Sequence, residues 1–170
     1  MAQSGIPHSS ERLRRFYGEY VFLLDAKGRA SIPAKMREVV ELSELTKMML
    51  RVMTFENFTF LRAYPINYYD ERILSKLENI EGETPAETFR IWRLTASCQE
   101  VKIDKQGRMN IPGELLKKVG ITRNICFVGM GDYIDIWEPE AYKEFFQAQM
   151  MAYEKEQAVQ QRASSPESTT

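Results

Sequence analysis

The sequence predicts an α+β fold built from two tandem copies of a β-β-α-β-β unit. Three observations predict it. Residues 25–33 read DAKGRASIP and residues 104–112 read DKQGRMNIP, identical at five of nine positions and offset by 79. The same order of hydrophobic patterns surrounds both segments. Each copy also closes on an aromatic residue and a nearby proline, Tyr64-Pro65 in the first and Trp137-Glu138-Pro139 in the second.

The elements follow in order. YVFLL (20–24) and EVKI (100–103) are strand-like runs that lead into the repeated segment. AKG and KQG interrupt β-patterned sequence, so Asp and Gly sit where a hairpin turn is wanted. Pro33 and Pro112 fit the first turn of a helix, where no amide donor is missed. The amphipathic stretches AKMREVVEL (34–42) and GELLKKVG (113–120) supply those helices, and Gly120 fits a C-terminal cap. Two strands then follow in each copy: 49–55 with 58–65, and 124–130 with 133–139. Glu56-Asn57 and Gly131-Asp132 occupy the corresponding turns. Met48, Met49, Met53, Phe55, Phe58 and Phe60 read as core and sheet face.

Between the copies, Tyr69, Ile73, Leu77 and Ile80 recur at helical spacing. Thr84-Pro85-Ala86-Glu87 forms a capping box with proline at the first helical position, opening a second helix through residue 96. After Pro139 a helix is expected to about residue 157, with Tyr142, Phe145, Phe146 and Met150 as a wide apolar stripe. That stripe fits equally a contact with its own sheet and a contact with another subunit. The expected organisation is a tail (1–16), a first domain (17–65), a helical connector (66–96), a second domain (97–140), a C-terminal helix (141–157) and a disordered polar tail (158–170).

Composition removes several function classes. Lys plus Arg is 23 and Asp plus Glu is 24, a net charge of −1, so a generally basic nucleic-acid coat is excluded. No apolar run approaches the roughly 18 residues that a membrane span needs, and residues 1–15 lack the hydrophobic stretch of a secretory signal, so a cytoplasmic location is expected. Cys98 and Cys126 are too few for a disulfide scaffold or a zinc knuckle. The single histidine, His8, stands in a polar stretch and reads as a solvated tail residue. No Walker A loop, G-x-G-x-x-G or G-x-S-x-G is present. No enzyme, metal site, cofactor or small-molecule substrate is expected.

Charge by segment is more telling than the total. Residues 25–37 hold Lys27, Arg29, Lys35 and Arg37 against Asp25, a net of +3. Residues 104–118 hold Lys105, Arg108, Lys117 and Lys118 against Asp104 and Glu114, a net of +2. Arg12, Arg14 and Arg15 read as a basic tail. In each D-x-x-G-R loop, Asp25 or Asp104 would accept backbone N–H groups and Gly28 or Gly107 would supply a positive φ. Glycine also lets backbone approach a phosphate closely, and arginine offers a planar fork for a phosphate or a guanine edge. Turn geometry requires the glycine but not the arginine, so both arginines point to function. Paired Asp loops also occur in aspartic protease dyads, but adjacent cations would depress a carboxylate here rather than raise it.

The run GEYVFLLDAKGRASIPAKMRE (18–38) followed by DKQGRMNIP closely resembles the MraZ family, bacterial transcriptional regulators built from two SpoVT/AbrB-type domains. The resemblance covers about residues 17–157 and includes both loops, the connector and the DIWEP ending. It implies two halves interlocked into a pseudo-twofold double-split β-barrel. It further implies a homo-oligomeric ring that binds direct repeats in double-stranded promoter DNA and represses the division and cell-wall gene cluster, its own operon included, in the nucleoid. Carried over, the DNA-binding residues are Lys27, Gly28, Arg29, Lys105, Gln106, Gly107 and Arg108, with Asp25 and Asp104 structuring the loops. Gln106 departs from the lysine of the first loop. The rival reading is a scaffold or antitoxin-like interaction module on the same fold, which would not need the basic loop twice.

Overall fold

The two copies do not fold side by side; each lends its first strand to the other. The computed structural model describes residues 15–164. In the first copy β1 (Glu19–Leu23), β2 (Arg29–Ser31), α1 (Ala34–Leu42), β3 (Lys47–Phe55) and β4 (Phe58–Pro65) follow in order. In the second, β5 (Cys98–Lys102), β6 (Arg108–Asn110), α2 (Gly113–Lys118), β7 (Asn124–Gly129) and β8 (Ile134–Trp137) repeat the order. The main sheet runs β1-β7-β8-β4-β3-β5, and β2 pairs with β6 in a separate two-stranded ribbon. Exchanging the copies maps this strand order onto itself, so the fold has an internal pseudo-twofold axis.

Every pairing is antiparallel. Each repeated loop closes as a tight hairpin turn, with the Asp25 amide donating to the Arg29 carbonyl, the Asp104 amide to the Arg108 carbonyl and Ile103 bridging Met109, but the pairing goes no further. After Asp25 and Asp104 the chain leaves its preceding strand, because β1 is taken up by β7 and β5 by β3. Period-2 patterning places Leu61, Ala63, Ile134 and Ile136 on the inner face with Ala30, Ile32, Met36, Met109 and Ile111 from the ribbon and α1. Phe60, Cys126, Val128 and Trp137 line the outer face. Phe60 and Trp137 stack there at 4.1 Å between ring centroids.

The axis passes through the β4–β8 pair. Its register is Leu61 opposite Ile136, Arg62 opposite Asp135 and Ala63 opposite Ile134. Arg62 and Asp135 are thus the pseudo-equivalent residues at the axis, and they carry opposite charges. Arg62 Nε donates to Asp135 Oδ1 at 2.7 Å and Nη2 donates to Oδ2 at 3.0 Å, a bidentate pair with little solvent access. The guanidinium also lies 4.3 Å from the centre of the Tyr133 ring, a cation–π contact. Burial raises the Asp135 carboxyl above its ordinary value, and Arg62 pulls against that. Burial likewise opposes the charge on Arg62, but the hydrogen bonds and charge of Asp135 carry its pKa above the ordinary arginine value. The arginine decides the state of the pair: a guanidinium keeps its proton, so the carboxylate faces a fixed cation.

Local sequence signals account for the rest. Thr84 Oγ1 accepts the Glu87 amide at 3.2 Å while Glu87 Oε2 accepts the Thr84 amide, completing the capping box at the start of α3 (Pro85–Leu94). Helix α3 lies within the connector between the two copies. Gly120 adopts φ +71° and the Ile121 amide donates to the Leu116 carbonyl, closing α2. Pro33 and Pro112 stand one residue earlier than expected, as caps preceding the first helical residue. The connector before α3 is helical but irregular: Ile66–Tyr68, a widened π turn Tyr69–Ile73 and a tight 3₁₀ turn Leu74–Leu77. Tyr69 and Ile73 are buried as the spacing implied.

The last helix, α4 (Pro139–Ser164), continues past residue 157, so residues 158–164 are helical rather than disordered tail. Ala158, Gln160, Gln161 and Arg162 are good helix formers even without an apolar face. Tyr142 and Phe145 pack on the outer sheet cluster, whereas Phe146 and Met150 stay exposed. The apolar stripe therefore divides: its inner part covers the protein's own sheet. Among the described residues no helix is long and apolar enough to cross a membrane. Cys98 and Cys126 are unpaired thiols, and burial pushes Cys126 up to about 11.

Removing one partner of the axial pair strands a charge at the sheet centre. Asp135→Leu or Arg62→Leu is expected to destabilise the fold by about 3–5 kcal/mol, and the double replacement by less than either. Urea unfolding of the three variants checks this; a double variant as weak as the sum of the singles contradicts it.

Candidate nucleic-acid interface

The two repeated loops have almost the same hydrogen-bond pattern. In the first, the Gly28 amide donates to the Asp25 carbonyl at 2.9 Å and the Asp25 amide to the Arg29 carbonyl at 3.0 Å. Asp25 Oδ1 accepts the amides of Lys27 and Arg29 at 2.9 and 2.8 Å, and Oδ2 accepts Arg29 Nε at 2.6 Å. In the second, Asp104 Oδ1 accepts the amides of Gln106 and Arg108 at 2.9 and 3.0 Å, and Oδ2 accepts Arg108 Nε at 2.8 Å. Gly28 and Gly107 both stand at φ +73°, a conformation that a side chain disfavours.

These contacts correct one inference from sequence. The arginine is part of the turn: its Nε closes an ion pair with the aspartate four residues earlier. Retention of both arginines therefore has a structural component as well. Nη1 and Nη2 of each remain without a partner among the described residues, so the held Nε leaves the end of the fork available.

The pair is not a proton-sharing dyad. Backbone N–H donation from Arg29 is the largest influence on Asp25, and its net effect with the Arg29 and Lys27 contacts is to lower the carboxyl below its ordinary value. Asp104 is lowered in the same way by Arg108 and Gln106. Each aspartate has its own cation, and no acid/base role follows. Among the described residues no group of three or more His, Cys, Asp or Glu is placed to hold a metal.

The ribbon brings the loops together. Arg29 pairs with Asn110, Ala30 with Met109, and Ser31 with Arg108. Ala30 and Met109 are fully buried. Strand alternation then puts Arg29, Ser31, Arg108 and Asn110 on the opposite, outward face. Arg29 and Arg108 lie diagonally across it, about 7–8 Å apart by ordinary sheet geometry. Lys27, Lys105 and Gln106 are exposed at the two turns. Arg37 from α1 lies over Gly107, where an added Cβ would collide with its Cδ, and Gly28 has open space instead. The sequence reading missed Ser31, Asn110 and the placement of Arg37. Counting two residues onward from each arginine would have found the first two. His8, Arg12 and Arg14 lie outside the described residues; Arg15 pairs with Asp132.

Two like, basic turn loops thus stand on one ribbon of a duplicated, strand-exchanged α+β fold. Residues 94–163 match the family model described as "MraZ protein, putative antitoxin-like". The chain is 34% identical to "Transcriptional regulator MraZ" of Leuconostoc citreum over 131 residues, which is 76% of this chain and 85% of that protein. It is 31% identical to the protein of that name in Lachnoclostridium phytofermentans over 75% of this chain and 84% of the relative. For that of Anaeromyxobacter dehalogenans the identity is 28%, over 81% and 93%. The chain belongs to the MraZ family, whose members are named as regulators of transcription and not as enzymes.

The loops should respond to acid with a definite sign. Both aspartates bind a proton less readily folded than unfolded, so the loop contacts are complete above about pH 4 and are lost as pH falls through the lowered folded values. Amide NMR shifts of Arg29 and Arg108 should hold steady from neutral pH down to that region and then move together. Movement well above it contradicts the ion-paired loops.

Proposed function

We propose that this protein is a sequence-specific DNA-binding regulator of transcription that contacts DNA through Lys27, Gly28 and Arg29 of one loop and Lys105, Gln106, Gly107 and Arg108 of the other. The observation that carries the reading is the β2–β6 ribbon, which sets both arginines on one outward face. A two-stranded ribbon fits the major groove, and an arginine fork matches the O6/N7 edge of guanine. Local charge supplies the attraction that a net charge of −1 does not. A partner-binding scaffold would have no use for a second copy of the same basic loop.

The finer reading is repression of the division and cell-wall gene cluster, its own operon included, from direct repeats in the promoter, inside the cytoplasm at the nucleoid. The exchanged β1 and β5 together with the ribbon fit a double-split β-barrel. One ribbon offers a small contact, so a ring of identical subunits on repeats of matching spacing would raise avidity by about 10²–10⁴ without new contacts.

Gel shifts against the DNA upstream of the protein's own gene test the reading. Arg29→Ala and Arg108→Ala should each weaken specific binding by about 1–3 kcal/mol. The log–log salt dependence should be steep, near −0.9 per phosphate contacted. Unchanged affinity in both folded variants, with a flat salt response, would overturn the proposal.

A further inference from the structure

We infer that Asn110 is a base-reading residue, and that Asn110 opposite Arg29, with Ser31 opposite Arg108, makes each ribbon read an asymmetric DNA site. The inference rests on the DNA-binding reading above and deepens it. The pseudo-twofold axis exchanges Arg29 with Arg108 and Ser31 with Asn110. The ribbon face is therefore symmetric in its arginines and asymmetric in the two residues between them.

The register fixes which groups act together. Directly opposed residues in an antiparallel pair have Cβ atoms about 5 Å apart. Arg29 and Asn110 form one such outward pair, and Arg108 and Ser31 form the other. Ser31 and Asn110 are both exposed, and among the described residues neither side chain has a hydrogen-bond partner. Each arginine, in contrast, is held at Nε by its own aspartate, so its position does not depend on the neighbour.

The chemistry of the two neighbours differs. A carboxamide presents an acceptor and a donor in one plane, which matches N6 and N7 of adenine. A hydroxyl is a single rotor that donates or accepts, so it meets any base with little preference. The Arg29–Asn110 half should then favour a guanine beside an adenine. The Arg108–Ser31 half should favour guanine alone. A symmetric protein face would select palindromes, but this one selects a directional site, which is the kind that is repeated head to tail.

Selection from a random-sequence duplex DNA pool, followed by sequencing, tests this with the full chain, Asn110→Ser and Ser31→Asn. Both positions are exposed, so circular dichroism of the variants should match that of the wild type. The wild type should enrich a non-palindromic motif. Asn110→Ser should lower the adenine preference at one position by roughly five- to hundredfold. Ser31→Asn should create an adenine preference at the symmetry-related position. If the wild type enriches a motif that both variants leave unchanged, Asn110 does not read bases and the DNA-binding reading stands. If the wild type enriches no motif, the DNA-binding reading itself falls, and this inference with it.

Discussion

The Arg62–Asp135 pair at the pseudo-twofold axis is the interaction on which the rest of the structure depends. It sits where β4 of one copy meets β8 of the other, and it is the junction between the two halves of the sheet. Were the halves identical, like charges would face each other there. Because the equivalent positions hold opposite charges, first-with-second pairing is satisfied. First-with-first or second-with-second pairing would bury two like charges at the sheet centre. The register of β4 on β8 then sets the positions of β3 and β7. Those strands in turn receive β5 and β1 from the opposite copy.

The loops inherit this geometry. A D-x-x-G-R turn can form locally, since the bonds that its aspartate accepts lie within five residues. Two such turns on one ribbon cannot, because β2 and β6 belong to different copies and meet only after the halves interlock. Ala30 and Met109 anchor the ribbon by complete burial, and that burial turns the arginines outward. Burial of these two side chains and the outward placement of the arginines are thus one property of the ribbon. The divergence of Ser31 from Asn110 and of Lys27 from Gln106 costs the fold nothing, since all four are exposed.

What the sequence made legible was local. The duplicated motif, the turn glycines, the Thr84 capping box and the Gly120 cap each rest on neighbours within a few residues, and the structure has all of them. Strand exchange was not legible from the residues themselves, because EYVFL carries no mark that it pairs with β7 rather than β2. Nothing near Arg62 or Asp135 in the chain marks them as partners; their meeting depends on a register between segments far apart in the chain. The π and 3₁₀ turns of the connector were hidden because burial of Tyr69 and Ile73 satisfies an ordinary helical spacing as well. The extension of α4 to Ser164 was hidden for the opposite reason: with no apolar face to count, only propensity signalled it. At the loops, the residue types were readable but the Nε–carboxylate bond was not, and with it the arginines' share in holding the turn.

Charge reversal at the axis tests whether interlocked halves are what presents the loops. Arg62→Asp and Asp135→Arg each create a like-charge pair, and the two together restore an opposite pair in reversed order. Urea midpoints and affinity for DNA from upstream of the protein's own gene would be measured for all three, with both loops untouched. Each single reversal should lose stability and DNA affinity together, and the double reversal should recover much of both. Full DNA affinity in a single reversal that has lost its stability, or a double reversal no better than either single, would contradict that dependence.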